Sequence, residues 1–193
     1  MDLIQKAVRV LMSDGLVVYP TETVYGLGAD ALSDIAIDKV YEAKHRMIGK
    51  PISIAVSDDE MLHAVARVEG KAEEFITAFL PGPVTVVLKA RSCIPDILTG
   101  GTGLIGIRIP AHEVPVAIIR SLDAPITATS ANQSGGKDPV TTGECHVPYD
   151  LIIEGGRLPG TPSTVVDLVD WHIIRSGAQS AEIGKFISQM RSG

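Results

Sequence analysis

Apolar residues recur along this chain with two periods, one typical of helices and one typical of strands. Ile4, Val8 and Leu11 share one helical face, and Gly15 follows as a C-terminal stop. The same criteria predict helices over residues 3–14, 33–44, 58–67, 70–80, 112–121 and 180–191. Runs rich in valine, isoleucine and threonine predict strands over residues 16–19, 52–56, 84–88, 104–109, 125–129, 151–153, 164–169 and 172–175.

The order of these elements indicates the fold class. Strands and helices are interspersed throughout, as in α/β and α+β proteins. The strands at 164–169 and 172–175 are close enough in sequence to pair locally, so a purely parallel sheet is not expected. We predict a mixed, partly antiparallel sheet flanked by helices, in a single domain over residues 1–193. Segments 91–103 and 137–149 are predicted loops, and either is a candidate lid.

Composition and charge narrow the class of protein. Hydrophobic residues make up 45% of the chain and aromatic residues 4%, which indicates a globular protein with an aliphatic core. The net charge of −6 argues against a surface that grips nucleic acid throughout, but leaves room for a local basic patch. Cys93 and Cys145 lack CxxC spacing, which favours a reduced, cytoplasmic protein. No signal peptide, membrane span or metal-ligand spacing is found, so we expect no membrane association and no protein metal site.

The stretch Pro20–Gly28, PTETVYGLG, follows the first predicted strand. Hydroxyls just past a strand end, with glycines beside them, are typical of a ligand-binding loop, and a simple turn is an equal alternative. The glycines match GxGxxA, yet Pro20 and five further residues separate them from the strand and no helix begins before Ser33. A dinucleotide site is therefore not expected. The chain also lacks a GxxxxGK[ST] loop, so ATP would have to be held in another way.

A cluster of basic residues follows the second predicted helix. Lys44, His45, Arg46 and Lys50 lie within seven residues of an otherwise acidic chain. Cations at a helix C-terminus gain a few tenths of a kcal/mol to about 1 kcal/mol each, which explains one or two of them. A triphosphate or an RNA backbone needs such a set, because Arg offers a forked donor and Lys a point charge. The cluster favours an anion site.

Further candidate groups lie near other strand ends. The segment Thr129–Asn132 precedes two glycines, and its hydroxyls and amide suit either a phosphate or ribose site or an Asx turn. Arg108 and Arg175 each stand near a strand end, where either a ligand or a structural salt bridge would supply the anion. No pair resembles a nucleophile with its base. The chemistry indicated is positioning and charge neutralisation, as in phosphoryl or nucleotidyl transfer.

Seven stretches in register make the chain similar to the YrdC-like family of threonylcarbamoyl-AMP synthases. They are PTETVYGLG (20–28), KHRMIGKPI (44–52), LPGPVTVVL (80–88), GIRIP (106–110), TSAN with SGG (129–136), STVVDL (163–168) and IIRSG (173–177). Together they span nearly the whole chain, which resembles the short, single-domain form. The resemblance implies a twisted mixed sheet of YrdC/RibB type with a concave, positively lined cleft.

The resemblance also implies an activity. Members of this family join L-threonine, bicarbonate and ATP into L-threonylcarbamoyl-AMP and release pyrophosphate. The product serves the threonylcarbamoyladenosine modification of tRNA, which a partner transferase completes. ATP would enter as a substrate with Mg²⁺ held mainly by its phosphates.

By analogy, the signature Lys-x-Arg with Ser-x-Asn assigns the catalytic residues. These are Lys44, Arg46, Ser130 and Asn132. The implied ATP-binding residues are Lys44, Arg46, Lys50, Ser130, Asn132 and Arg175. The implied threonine-binding residues are Thr21, Thr23, Arg108, Ser163 and Thr164. The chain departs from its relatives at Met47, where some carry proline, and at Ala55, where longer forms carry a histidine that helps to hold threonine.

Two other functions compete with this one. The first is a protein that binds double-stranded RNA or tRNA through the same basic cleft, against which the net charge of −6 and the few aromatic residues weigh. The second is a sugar-phosphate lyase related by fold, which would need acidic metal ligands and an acid–base pair. No convincing set of either occurs in the sequence.

Overall fold

The computed structural model describes residues 2–192. The helices are α1 (Leu3–Met12), α2 (Asp34–Ala43), α3 (Asp59–Val65), α4 (Ala72–Phe79), α5 (Asp96–Thr99), α6 (Glu113–Leu122) and α7 (Ser180–Ser192), with a 3₁₀ turn at Thr142–Glu144. The strands are β1 (Val17–Tyr19), β2 (Gly26–Gly28), β3 (Ile54–Ala55), β4 (Ala66–Arg67), β5 (Val84–Ala90), β6 (Leu104–Arg108), β7 (Ile126–Thr127), β8 (Thr129–Ser130), β9 (Leu151–Ile152), β10 (Thr164–Asp167) and β11 (His172–Arg175).

The strands form two mixed sheets. The smaller has the order β8-β2-β1-β9, and the larger has the order β11-β10-β5-β6-β3-β7 with β4 beside β5. Both combine parallel pairs, such as β10 with β5, and antiparallel pairs, such as β5 with β6. The predicted fold class is therefore confirmed. The division into two sheets was not anticipated, because the strand pattern alone does not say which strands pair.

The chain crosses between the sheets at Ala128. The single strand predicted over 125–129 is in fact β7 of the larger sheet followed by β8 of the smaller one. The amide of Ala128 donates to the Ser53 carbonyl (2.7 Å), and the Thr127 hydroxyl donates to the Leu27 carbonyl (3.0 Å). This crossing places the turn that begins at Ser130 at the junction of the two sheets.

Strand β2 lies in a stretch predicted to be a loop, and its two glycines have a packing role. The buried ring of Tyr19 lies against both of them, and its hydroxyl donates to the Thr127 carbonyl (3.0 Å). A Cβ at Gly26 or at Gly28 would lie 2.8 Å from a Tyr19 ring carbon. Glycine is needed here because the ring occupies the space of a side chain, and not because of a nucleotide phosphate.

Gly28→Ala is expected to destabilise the protein by about 1–3 kcal/mol, because the added methyl overlaps a ring that is itself fixed. Chemical denaturation with urea would measure the change. The matched control is Gly184→Ala on α7, where a Cβ meets no atom within 4 Å. Alanine is favoured over glycine in a helix by about 0.8–1 kcal/mol, so the control should be neutral or stabilising. Equal effects of the two substitutions would contradict this role for the Tyr19 ring.

Helix starts and the core follow the predicted patterns. Ser33 caps α2, and its hydroxyl accepts from the Ala36 amide (3.2 Å). Buried aliphatic residues from both sheets and from α2, α3 and α4 form the larger core cluster. A smaller cluster joins α1 and α6 to β1 and β7. The helices thus cover the sheets and leave strand ends free to line a cavity.

The two predicted loops are more structured than expected. Segment 91–103 contains α5 and supports the basic segment, since the Ile52 amide donates to the Leu98 carbonyl (2.9 Å) and a Cβ at Gly100 would lie 2.3 Å from the Gly49 carbonyl oxygen. Segment 137–149 was predicted to be exposed, and this is wrong for Val140, Cys145 and Val147, which are buried. That one of these segments acts as a lid stays a prediction.

Among residues 2–192, the helices are all too short or too polar to cross a membrane.

Candidate functional site

A cavity of about 300 Å³ opens where the two sheets meet. This volume is at the lower end of small-molecule sites. Nine of the predicted site residues line it: Thr21, Thr23, Lys44, Arg46, Arg108, Ser130, Asn132, Ser163 and Arg175. The cavity wall thus carries four cations, from the end of α2, the loop after it, β6 and β11. Among the described residues that line it, Asp138 is the one carboxylate.

Lys44 is buried, although it belongs to the basic cluster. Its side chain is 2% exposed, and its ammonium donates to the Ser130 carbonyl, to the Asn132 carbonyl (2.6 Å) and to Asn132 Oδ1 (3.3 Å). These three acceptors match its three donors. Lys44 therefore holds the Ser130–Asn132 turn and places its charge beneath it.

The environment of Lys44 disfavours its charged form. Burial, followed by the neighbouring charge of Arg46, lowers the pKa of Lys44 to about 8, while Asp138 acts in the opposite direction. An anion bound in the cavity would favour the ammonium and raise this pKa again. The residue is thus a cation whose charge responds to the ligand.

The Ser-x-Asn turn is held by side chains as well as by Lys44. The Ser130 hydroxyl donates to Asn132 Oδ1 (2.6 Å). The Asn132 amide group in turn donates to the Gly136 carbonyl (2.7 Å) and to Asp138 Oδ1 (3.3 Å). This network orders the glycine-containing segment that follows, and Asp138 joins the site through it.

Arg46 organises the loop that follows it. Its guanidinium donates to the Lys50 carbonyl (3.3 Å) and to the Pro51 carbonyl (2.7 Å). The Tyr41 hydroxyl also lies within hydrogen-bond distance of the Lys50 carbonyl (2.8 Å), which fixes the loop against α2. The remaining N–H groups of Arg46 are free for an anion in the cavity, because the side chain is only partly buried.

The threonines of the PTETVYGLG stretch form a closed turn. The Thr21 hydroxyl donates to the Val24 carbonyl (2.7 Å) and accepts from the Val24 amide (3.2 Å). Its oxygen also lies 2.8 Å from that of Thr23, so Thr23 is the donor in that contact. Arg108 Nη1 lies 3.4 Å from the Thr23 oxygen. Thr21 shapes the turn, while Thr23 connects it to Arg108.

Arg108 is buried in an ion pair with Glu22. Its Nη2 donates to Glu22 Oε1, and the side chains are 9% and 16% exposed. The two side chains share a single hydrogen bond, and within residues 2–192 Glu22 Oε2 and Arg108 Nε are buried without a hydrogen-bond partner. Buried polar atoms are normally paired, so the pair has unused capacity for a ligand.

The third side of the cavity comes from β5, β10 and β11. The Ser163 hydroxyl lies 3.0 Å from that of Thr85, and Arg175 Nη2 donates to the Ser163 carbonyl (3.0 Å) and hydroxyl (3.2 Å). Arg175 is itself solvent-exposed, so it can meet a ligand at the cavity mouth without losing its hydration completely.

Two predicted site residues do not line the cavity. Lys50 is exposed, and its backbone carbonyl rather than its side chain supports the site. Thr164 is fully buried, and its hydroxyl donates to the Ala178 carbonyl (2.6 Å) and accepts from the Gly177 amide (2.9 Å). Successive residues of an extended strand point to opposite faces, so Ser163 faces the cavity and Thr164 faces away.

Sequence reasoning missed several residues of the site. Ser53, Thr85 and Asp138 line the cavity, and Glu22 pairs with Arg108. Thr85 interrupts an apolar strand, and Glu22 lies between two predicted site threonines, so both carried a signal that was not used. Asp138 carried no such signal, because carboxylates are common in polar segments.

One group of residues that could ligate a metal lies away from the cavity. Potential ligand atoms of Asp59, His63 and Glu73 lie within 4.8 Å of one another, and His63 Nε2 is 3.3 Å from Glu73 Oε2. All three are absent from the cavity wall.

The chain matches a known protein family over most of its length. The Sua5/YciO/YrdC family model, described as "Telomere recombination", matches residues 9–177. The threonylcarbamoyl-AMP synthase of Pyrococcus abyssi is 40% identical over 187 residues, which are 91% of this chain and 54% of that protein. The threonylcarbamoyl-AMP synthase of Hydrogenovibrio crunogenus is 34% identical over 163 residues, which are 81% of this chain and 87% of that protein.

The fold agrees with these matches. The crystal structure of P. abyssi Sua5 complexed with L-threonine superposes with a TM-score of 0.90 at 35% identity, over 95% of this chain and 56% of that one. This chain therefore spans about half the length of the P. abyssi proteins it matches. The resemblance noted in the sequence is confirmed, and the chain belongs to the Sua5/YciO/YrdC family.

Proposed function

We propose that this protein forms L-threonylcarbamoyl-AMP and pyrophosphate from L-threonine, bicarbonate and ATP. The observation that carries the proposal is the cavity wall, where Lys44, Arg46, Arg108 and Arg175 converge from separate segments with serine and threonine hydroxyls between them. Relatives named threonylcarbamoyl-AMP synthase support it, as does the likeness to a Sua5 structure with L-threonine bound.

In this proposal the protein holds two anions together against their repulsion. The ammonium of threonine first loses a proton to solvent, the free amine and bicarbonate then give a carbamate with loss of water, a carbamate oxygen attacks the α-phosphorus of ATP, and pyrophosphate leaves. Lys44, Arg46 and Arg175, with Ser130 and Asn132, would bind the phosphates. Arg108, Thr23 and Ser163 would bind the amino acid. Catalysis then comes from position and charge, since no nucleophile with a base lines the described part of the cavity.

Magnesium would enter with the nucleotide. The described cavity wall offers one carboxylate, Asp138, which fits a metal held mainly by phosphates and water and does not fit a protein cage. The bound ion would neutralise charge on the triphosphate. We further propose that the product passes to a transferase that modifies tRNA.

The test of this function is pyrophosphate release from ATP, with threonine, bicarbonate and magnesium omitted in turn. Release should require both threonine and bicarbonate, and serine or valine should support it less well. Release that ignores threonine would overturn the proposal. Binding of tRNA that weakens with salt, without threonine-dependent release, would instead support the RNA-binding alternative, which the named relatives do not favour.

The affinity for ATP is expected to fall as pH rises through about 8, because Lys44 then loses its proton. The three N–H donors of Lys44 are used within the protein, so it acts on the phosphates through its charge, and losing that charge should raise the dissociation constant by roughly tenfold. Titration calorimetry across this pH range at fixed magnesium measures it. Lys44→Met should bind weakly with no inflection near this pH, and an unchanged inflection would assign it to another group.

Stability is expected to change in the opposite direction with pH. The pKa of Lys44 is lowered from 10.5 to about 8 on folding, so between these values the unfolded chain binds more protons than the folded protein. The contribution of Lys44 to the free energy of unfolding therefore increases with pH over that window. Urea denaturation of the wild type and of Lys44→Met, compared across the window, isolates this contribution.

A further inference from the structure

We infer that Glu22 is the residue that recognises the α-ammonium group of the amino acid, beside the carboxylate site on Arg108. This inference rests on the proposed function, because it takes Arg108 as the partner of the substrate carboxylate. Glu22 was not among the residues that the sequence or the resemblance assigned to the site.

A site for a free amino acid needs an anion as well as a cation. An α-amino acid in water carries a carboxylate and an ammonium on one carbon. The predicted threonine site supplies Arg108 for the carboxylate but only hydroxyls for the ammonium. Glu22 is the carboxylate that contacts Arg108 directly; it is not itself part of the cavity wall, but its neighbours Thr21 and Thr23 both are, so a ligand on Arg108 would lie close to it.

The Glu22–Arg108 ion pair has unused hydrogen-bonding capacity. Glu22 Oε2 is a buried acceptor without a donor, and Arg108 Nε is a buried donor without an acceptor. Leaving such atoms unpaired is unfavourable, and a ligand that supplies one acceptor and one donor would satisfy both. A zwitterionic amino acid is such a ligand, whereas a simple anion would satisfy Arg108 alone.

The shape of the Arg108 guanidinium allows two carboxylates to bind it side by side. The substrate carboxylate and the Glu22 carboxylate would share one guanidinium, whose five N–H groups form a planar fork. The ammonium, one carbon from the substrate carboxylate, would then lie between the two carboxylates. The terminal torsion of a glutamate is broad, so a rotation of the carboxylate can bring Oε2 to the ammonium.

Asp138 is the alternative partner for the ammonium, since it lines the cavity. It accepts from Asn132 (3.3 Å) and raises the pKa of Lys44, so it lies on the side of the Ser-x-Asn turn. Glu22 is favoured because it contacts Arg108 itself. The experiment below separates the two.

The test compares L-threonine with 2,3-dihydroxybutanoate, in which a hydroxyl replaces the ammonium, by calorimetric binding to the full chain. The wild type should bind threonine at least about tenfold more tightly. Glu22→Gln should lose most of this preference, chiefly by binding threonine more weakly. Asp138→Asn and the exposed control Glu182→Gln should retain it. A structural role for Glu22 would weaken both ligands equally and leave their ratio unchanged.

Three outcomes overturn the inference. They are a wild type without the preference, a Glu22→Gln variant that retains it, and an Asp138→Asn variant that alone loses it. If the wild type binds no threonine at all, the proposed function fails instead. Should Glu22→Gln not fold, a crystal structure of the wild type with threonine decides the matter. A Glu22 oxygen within hydrogen-bond distance of the threonine nitrogen supports the inference, and a longer separation rejects it.

Discussion

Lys44→Met is expected to reduce threonine-dependent pyrophosphate release by on the order of 10²–10³-fold, the usual effect of removing one preorganised electrostatic group from a site of developing charge. Methionine keeps most of the side-chain volume and removes the charge. The loss should be larger than the deletion of a surface cation would cause, because Lys44 both supplies charge and holds the Ser130–Asn132 turn.

The same substitution is expected to lower stability. Two backbone carbonyls and the Asn132 side chain lose their shared donor, and an unpaired buried acceptor costs about 1–3 kcal/mol. Activity must therefore be measured under conditions where circular dichroism shows a folded protein.

Two other lysines serve as controls. Lys39 lies on the same helix and donates to the Asp14 carbonyl (2.7 Å) at the surface, so Lys39→Met should leave turnover near that of the wild type. Lys50 belongs to the basic cluster but not to the cavity wall, so Lys50→Met should lower activity only a few-fold through weaker electrostatic attraction. Equal losses at Lys44 and Lys50 would contradict the distinction drawn from the structure.

Arg108→Leu is expected to destabilise the protein by about 3–5 kcal/mol and to abolish threonine binding. Removing one partner of a buried ion pair leaves the other charge uncompensated, which is the main source of the energy loss. Here the remaining charge would be Glu22, whose side chain is 16% exposed. Urea denaturation measures the stability, and calorimetry measures binding of threonine and of ATP separately.

The double variant Arg108→Leu with Glu22→Gln separates the two effects. Neutralising Glu22 removes the uncompensated charge, so much of the lost stability should return, while threonine binding stays absent. ATP should still bind to the folded variants, because Lys44 and Arg46 remain. If the double variant is no more stable than Arg108→Leu alone, the two residues are not energetically coupled.

How far the sequence predicts this structure depends on whether a feature is local. Helix starts were predicted well, as at Ser33, because a cap depends on residues within one turn. Strand β2 was missed, because Gly26 and Gly28 make room for the ring of Tyr19 on the neighbouring strand β1, and this contact is not visible in the local pattern. The two-sheet arrangement was missed because strands that pair, such as β1 and β9, are far apart in sequence. The single domain over residues 1–193 stays a prediction.

In the candidate site as well, residue type was predicted from the sequence and placement was not. Motifs identified most of the residues that the fold brings together, including Arg46, Ser130 and Arg175. They did not separate Lys44 from Lys50, or Ser163 from Thr164, because chemical type is similar within each pair. Lys44 and Lys50 differ in burial, and Ser163 and Thr164 differ in the strand face they occupy. The roles of these residues in binding stay predictions until the variants are measured.

The sequence by itself determined the fold class, the family and the supply of cations and hydroxyls near strand ends, because these depend on residue type and on local periodicity. Only the tertiary structure decided which of those groups share one cavity, that Lys44 is buried beneath the Ser-x-Asn turn, and that Glu22 pairs with Arg108. Glu22 lies in the loop between β1 and β2 of the smaller sheet and Arg108 ends β6 of the larger one, and only the folded chain brings their charges together. That contact depends on packing between distant segments, which no local pattern encodes.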